Sequence, residues 1–267
     1  MRRIDKSHTS NALTVYAANH PDDYWDFFQR NNSKAYQEIK AKIFEEQGDI
    51  CAYCEIDLSK EHTFEHHRRV EHFNSKSGWK VGQAQPNWHL DWYNVIGVCI
   101  GGTDRDNRER FVMPENKSCD SYKEHLETNC GYGKNWKGKV VSPLEAGLCS
   151  DMFHYCLASG ELSVNDVYAN SVQFHDNIYA TSAELLQETL VLFNLNCERL
   201  KLARRDVHHS YEKLKAAFRK SNDVNKFKFM LQKWSGSEQV LSFQTTRDIL
   251  LRDCPIAKKC LKEPPAA

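Results

Sequence analysis

The sequence has no uncharged apolar run approaching the ~18 residues that cross a bilayer, and its start, Met-Arg-Arg-Ile-Asp-Lys, passes into polar residues without a signal-length apolar stretch. It therefore reads as a cytosolic chain that makes no membrane contact. Net charge is also lacking: 36 basic residues balance 36 acidic ones. The molecule as a whole offers no field to draw in nucleic acid or an acidic membrane, so any contact with phosphates must be local or shared with a partner. Internal repeats and low-complexity segments are absent. Gly101-Gly102 is too short for a phosphate-cradling loop, which argues against nucleotide binding by this chain.

What is present is a 267-residue chain of 40% apolar composition, enough for a sizeable core in one large domain or two small ones. Ten cysteines without a secretion signal point to metal binding or reduced thiols before disulfides. Cys51 and Cys54 form a C-x2-C knuckle, and Cys99 and Cys119 follow. Cys130, Cys149, Cys156, Cys197, Cys254 and Cys260 are scattered and read as plain thiols.

Residues 1–48 read as helical, with Ser33 as an N-cap, Tyr36, Ile39 and Ile43 at helical spacing, and Gly48 as the terminating glycine. Residues 49–126 are irregular and rich in His, Trp and Asn, with short β-prone pieces between Phe64 and Phe73. Residues 127–267 combine a hairpin, Met152 to Leu157 and Leu162 to Val167 around a Ser-Gly turn, with helices. Thr181 and Glu184 make a capping box, and a later helix steps Leu200, Ala203, Val207, Tyr211, Leu214 and Phe218 into one stripe. That stripe suits a core face or a docking partner. Lys226-Phe227-Lys228-Phe229 reads as a helix of mixed exposure.

Structural zinc wants four soft ligands in a tetrahedron, and Cys51, Cys54, Cys99 and Cys119 can supply them. The second pair is unusual, because positions 100 to 118 separate its members; Cys130 is the alternative fourth ligand. Between the pairs lies Val70-Glu71-His72-Phe73. Phosphodiester hydrolysis needs a base of near-neutral pKa to activate water and a hard cation to neutralise charge on the phosphate and the leaving oxygen. An imidazole beside a carboxylate provides for both, given a strand end or bulge that lets neighbouring side chains reach one site.

Asn94, in Trp92-Tyr93-Asn94-Val95, and Asp120, directly after Cys119, complete an order: Cys-x2-Cys, Val-Glu-His, Tyr-Asn-Val, Cys, Cys-Asp-x2-Lys. This order resembles HNH nucleases of the ββα-metal class. Cys51-Ala52-Tyr53-Cys54-Glu55, Glu71-His72-Phe73 and Val98-Cys99-Ile100-Gly101-Gly102 are similar, more narrowly, to the PtuB family, HNH effectors of Septu and retron antiphage systems that pair with an ABC-type ATPase, PtuA. The match covers about positions 51 to 123.

The resemblance implies an α+β fold: a ββα-metal nuclease core at 49–126 stapled by a four-cysteine zinc site, with helical flanks. It implies His72 as general base, Glu71 and Asp120 as ligands of a catalytic Mg²⁺ or Mn²⁺, and Asn94 as a brace for the loop holding His72. It implies a PtuA-like ATPase as partner, docked on the flanks, with a nucleic-acid substrate and, in a retron, a reverse transcriptase with its non-coding RNA and DNA. Asp120 departs from the commoner His or Asn, but an aspartate is a good ligand for a hard cation. The long Cys99–Cys119 gap leaves the fourth zinc ligand open.

Arg68, Arg69, Lys76 and Lys123 are candidate phosphate contacts. Phe64-Glu65-His66-His67 offers a second Glu-His step, but it leads into Arg68 and Arg69, and His66 and His67 read as exposed strand residues. Trp79, Trp88 and Trp92 read as filling a small core, while His89 and His125 lack motif support. The rival function is a non-catalytic zinc-stapled module binding nucleic acid or protein, for which the ordered Glu71, His72, Asn94 and Asp120 would be superfluous.

Overall fold

A computed structural model describes residues 1–82, 86–236 and 239–262. Three helices open the chain: α1 (Ala12–Asn19), α2 (Trp25–Asn31) and α3 (Ser33–Gln47). The Asn11 side chain caps α1 by accepting from Leu13 N and Thr14 N. Gly48 ends α3 at φ 72°, a left-handed position that costs glycine nothing, while Ser33 is the first helical residue and Asn32 the cap. Leu13, Trp25, Phe28, Ile39 and Ile43 pack with Leu90, Trp92 and Val95 into a core of their own, so the opening helices are built onto the segment that carries Asn94.

Two short strands, β1 (Arg69–His72) and β2 (Val95–Val98), pair antiparallel with His72 opposite Val95 and Glu71 opposite Ile96. The pair is fixed to α3 at Gly97. Gln47 Oε1 accepts from Gly97 N at 2.7 Å and Gln47 Nε2 donates to Gly97 O at 2.9 Å. A Cβ at 97 would lie 2.8 Å from the Phe44 ring, so only glycine permits this approach. Next come α4 (Arg105–Arg110) and α5 (Cys119–Asn129).

The expected hairpin is β3 (Phe153–Tyr155) with β4 (Leu162–Val164), followed by α6 (Asp166–Ala169). Both halves of the Thr181–Glu184 capping box open α7 (Ser182–Leu192). The long α8 (Glu198–Ser221), α9 (Val224–Ser235), α10 (Gln244–Arg252) and α11 (Pro255–Lys262) complete the chain. Fold class is thus mixed, helices with two small antiparallel sheets. No helix among the described residues is long and apolar enough to cross a membrane.

The α8 stripe is a core face, the first of its two readings, and not a docking surface: Leu200, Val207, Tyr211 and Leu214 are buried within the chain itself, Leu200 and Val207 in the main core and Tyr211 and Leu214 against Phe227, Leu231 and Leu250. One reading is corrected. His66 and His67 are not strand residues. They sit in a 3-10 turn, Glu65–His67, closed by His67 N donating to Phe64 O, and the strand begins only at Arg69. Phe227 is buried and Phe229 exposed, as a mixed-exposure α9 requires.

Candidate functional site

The end of the α3 turn delivers Cys51 and Cys54, the end of β2 delivers Cys99, and the start of α5 delivers Cys119. All four are buried, and their Sγ atoms lie within 4.8 Å of one another. Cys51–Cys119 and Cys99–Cys119 are 3.8 Å apart, and Cys54–Cys99 3.7 Å. Zinc–sulfur bonds of about 2.3 Å in a tetrahedron require sulfur separations of about 3.8 Å, so the donor set fits structural zinc. Burial pushes the Cys54 and Cys119 thiols well up. Four thiolates could share this pocket only around a cation. Cys99 N and Gly101 N aim at Cys51 Sγ and Cys99 Sγ at 3.4 and 3.3 Å. Cys130 is exposed at the far end of α5, which leaves Cys119 as the fourth member.

This cluster ties the end of β2 to the start of α5 and so aligns the face on which the other candidates converge. Glu71, His72, Lys76, Asp120 and Lys123, with Arg69 at the rim, line one cavity of about 320 Å³. Glu71 lies near the end of β1 and Asp120 in the first turn of α5. Burial, then the Glu71 charge, pushes Asp120 up to about 7, with Lys123 and Arg69 opposing. Lys123 Nζ reaches Glu71 Oε1 at 2.6 Å. Burial works against the Lys123 charge, yet Glu71 and Asp120 together hold its pKa above the ordinary range. Two crowded carboxylates facing one ammonium are hard oxygen donors that a divalent cation would suit.

His72 ends β1, is 5% exposed, and packs edge-on against Trp25 at 4.7 Å. Its Nε2–H donates to the carbonyl of His89 at 3.1 Å, which leaves Nδ1 as the basic nitrogen. Burial, then the Lys76 charge, lowers His72 to about 3, so the ring is neutral. Asn94 is 1% exposed and spends its whole amide on the loop after β1: it accepts from Asn74 N and donates to the carbonyls of Asn74 and Trp88.

The candidate phosphate contacts divide. Arg69 is exposed at the cavity rim, and Lys76 is half-buried and 3.4 Å from Asp26. Lys123 lines the cavity, but its ammonium is committed to Glu71. Arg68 is corrected to a structural role, buried and bonded to Leu58 O and Asp49. Trp79 and Trp92 are buried, Trp88 half-buried, and His125 lies on α5 beside Asn129.

Sequence reasoning missed three residues. His89 supplies the carbonyl for His72, and its Nδ1 accepts from Trp25 N at 3.3 Å. Trp25, from the opening helices, covers the His72 ring. Lys6 sits 3.6 Å over the Trp92 ring and donates to the carbonyls of Trp92 and Val95, on either side of Asn94. No spacing in the sequence links these positions to His72 or Asn94.

Against known proteins, no family model matches the chain. Over 264 residues, 98% of this chain and 98% of the relative, it is 37% identical to the candidate HNH endonuclease of retron Ec83 from Escherichia coli.

Proposed function

The chain belongs to the retron HNH endonuclease family, and from that premise we propose that it is a metal-dependent endonuclease hydrolysing nucleic-acid phosphodiester bonds. In this reading β1, β2 and α5 are the ββα-metal core of residues 49–126, stapled by zinc at Cys51, Cys54, Cys99 and Cys119. The observation that carries it is the convergence of Glu71, His72 and Asp120 on one cavity.

Each residue has a physical task. His72, neutral in the free chain, takes a proton from water at Nδ1, because His89 holds its Nε2–H, and the negative charge of the bound phosphate offsets the burial and the Lys76 charge that lower its basicity. Asn94 keeps that loop in place. Glu71 and Asp120 would hold Mg²⁺ or Mn²⁺, which supplies charge neutralisation at the phosphate and leaving oxygen. Lys123 orients Glu71, and Arg69 and Lys76 receive the phosphate backbone. With zero net charge the isolated chain gains little nonspecific attraction for nucleic acid, which supports a PtuA-like ABC-type ATPase as partner, within a retron that includes a reverse transcriptase and its non-coding RNA and DNA. Docking falls to the exposed faces of the 127–267 region and the opening helices, the α8 stripe being buried.

The test compares His72→Ala with His66→Ala. Loss of a general base should lower cleavage roughly 10²–10⁴-fold with zinc content unchanged, whereas His66→Ala, at saturating substrate, should retain the order of magnitude of the wild-type rate. Cleavage that survives His72→Ala would falsify the assignment. A zinc-loaded wild-type chain that binds nucleic acid, alone and with its ATPase, but never cuts it is a binding module instead.

A further inference from the structure

Phe64 is 69% exposed, the most exposed Phe, Tyr or Trp among the described residues, and it stands directly before the turn that leads into β1. An isolated exposed phenylalanine means little, but this one is part of an ordered surface. The His66 ring stacks on it at 5.6 Å and 18°, and the His67 ring meets it edge-on at 5.6 Å. Together with Arg69, Thr103, Arg105 and Arg108 these rings line a recess of about 540 Å³. Arg69 lines this recess and the cavity of Glu71, His72 and Asp120 alike, so the two are neighbours across that residue.

The charges around the recess are mixed, and most of the acidic ones are occupied. Asp104 caps α4 through Asn107 N at 3.0 Å and Asn107 Nδ2 at 2.7 Å. Glu109 pairs with Arg105 at 2.7 Å, and Glu65 with Lys40 at 2.7 Å. Asp106 remains as an opposing charge. Arg69 and Arg108 are both exposed, and neither forms an ion pair among the described residues.

We propose that this recess is a single-strand subsite: one unstacked base lies on Phe64 and His66, and Arg69 and Arg108 contact the phosphates that run from it into the cavity of His72. The chemistry selects a single strand because a base exposes its face to an aromatic ring only when it is not stacked in a duplex, and stacking on a π-face tolerates any base. DNA and RNA single strands share that chemistry. The inference rests on the nuclease reading above and adds to it the form of nucleic acid that enters.

The test is fluorescence anisotropy with the full chain, in buffer without Mg²⁺ or Mn²⁺, using roughly 15-nucleotide single-stranded DNA, single-stranded RNA and duplex DNA of one sequence. Phe64→Ala should weaken binding to single strands about 5- to 100-fold, while Phe64→Trp retains it. Arg108→Glu should weaken it as well and lower the salt slope by about 0.7, the share of one phosphate. Loss confined to DNA or to RNA names the substrate; loss on both names either. Because both side chains are exposed, zinc content and melting temperature should not move. Affinities of both variants within about twofold of wild type, equal losses on duplex, or no single-strand binding by the wild-type chain would overturn the subsite. If binding is unchanged while cleavage still depends on His72, the subsite alone fails; if the wild-type chain, alone and with its ATPase, never cuts, the nuclease reading fails independently.

Discussion

Asn94 clasps Asn74 at both backbone polar groups: its Oδ1 accepts from Asn74 N at 2.7 Å and its Nδ2 donates to Asn74 O at 3.0 Å. Asn74 lies two residues past His72, so the clasp sets where β1 ends and the following loop begins. Asn94→Ala would leave buried backbone groups unpaired at about 1–3 kcal/mol each. We expect stability to fall by about 2–4 kcal/mol and cleavage by about tenfold or more, read by thermal melting and by cutting of a labelled oligonucleotide. Asn94→Asp should fare no better, since it keeps the acceptor and loses the donor to Asn74 O and Trp88 O. Wild-type melting in Asn94→Ala would show that the loop does not depend on the clasp.

Zinc content separates the four clustered thiols from the other six. Cys119→Ser should abolish tight zinc binding and cost folding energy on the order of 10 kcal/mol, because a metal held there would close the junction of β2 and α5. Cys130→Ser, at an exposed position, should leave zinc content and melting untouched. Elemental analysis of both proteins decides it, and the opposite pattern would move the fourth ligand to Cys130.

The sequence could yield this site because its chemistry depends on neighbours in the chain. Cys51 and Cys54, Glu71 and His72, and Cys119 and Asp120 are each local, and spacing rules act over that range. The long Cys99–Cys119 gap was unreadable because the insert, which contains α4, brings the two thiols together only in three dimensions. The same limit hid Lys6, Trp25 and His89, whose contacts with the site span 86, 47 and 17 positions of chain and follow from tertiary packing. Hydrophobic periodicity found the α8 stripe but could not say what covers it. Lys123 looked like a phosphate ligand from its place after Cys-Asp, and only the folded chain, where its Nζ lies 2.6 Å from Glu71 Oε1, shows that it answers Glu71.

Lys123 and the proposed cation compete for one carboxylate. Lys123→Met removes half of a buried ion pair and leaves Glu71 beside Asp120, so the metal-free protein should lose about 3–5 kcal/mol. Mn²⁺ or Mg²⁺ should then restore part of the loss. The predicted signature is a larger rise in melting temperature on adding Mn²⁺ for the variant than for the wild type. An equal or smaller rise would place the cation away from Glu71 and Asp120.

Asp248 of α10 gives a pH test remote from the site. Burial, with a further push from the Glu55 charge, raises its carboxyl from 3.8 to about 6, while Gln244 Nε2, donating at 2.7 Å, pulls the other way. Between about pH 3.8 and pH 6 the native chain therefore binds more protons at this position than the unfolded chain, and this contribution to stability falls as pH rises through that window. Above it the full penalty of a half-buried charge is present. Asp248→Asn keeps an oxygen for Gln244 and removes the charge. It should stabilise the protein at about pH 8 by about 1–2 kcal/mol after allowance for solvent screening, which is about 2–6 °C in melting temperature for a chain of this size. The gain should shrink at about pH 5, where the native aspartate is mostly protonated. A gain of equal size at both values would mean that the introduced amide helps through packing, and a loss at about pH 8 would mean that the charge itself is used by Gln244.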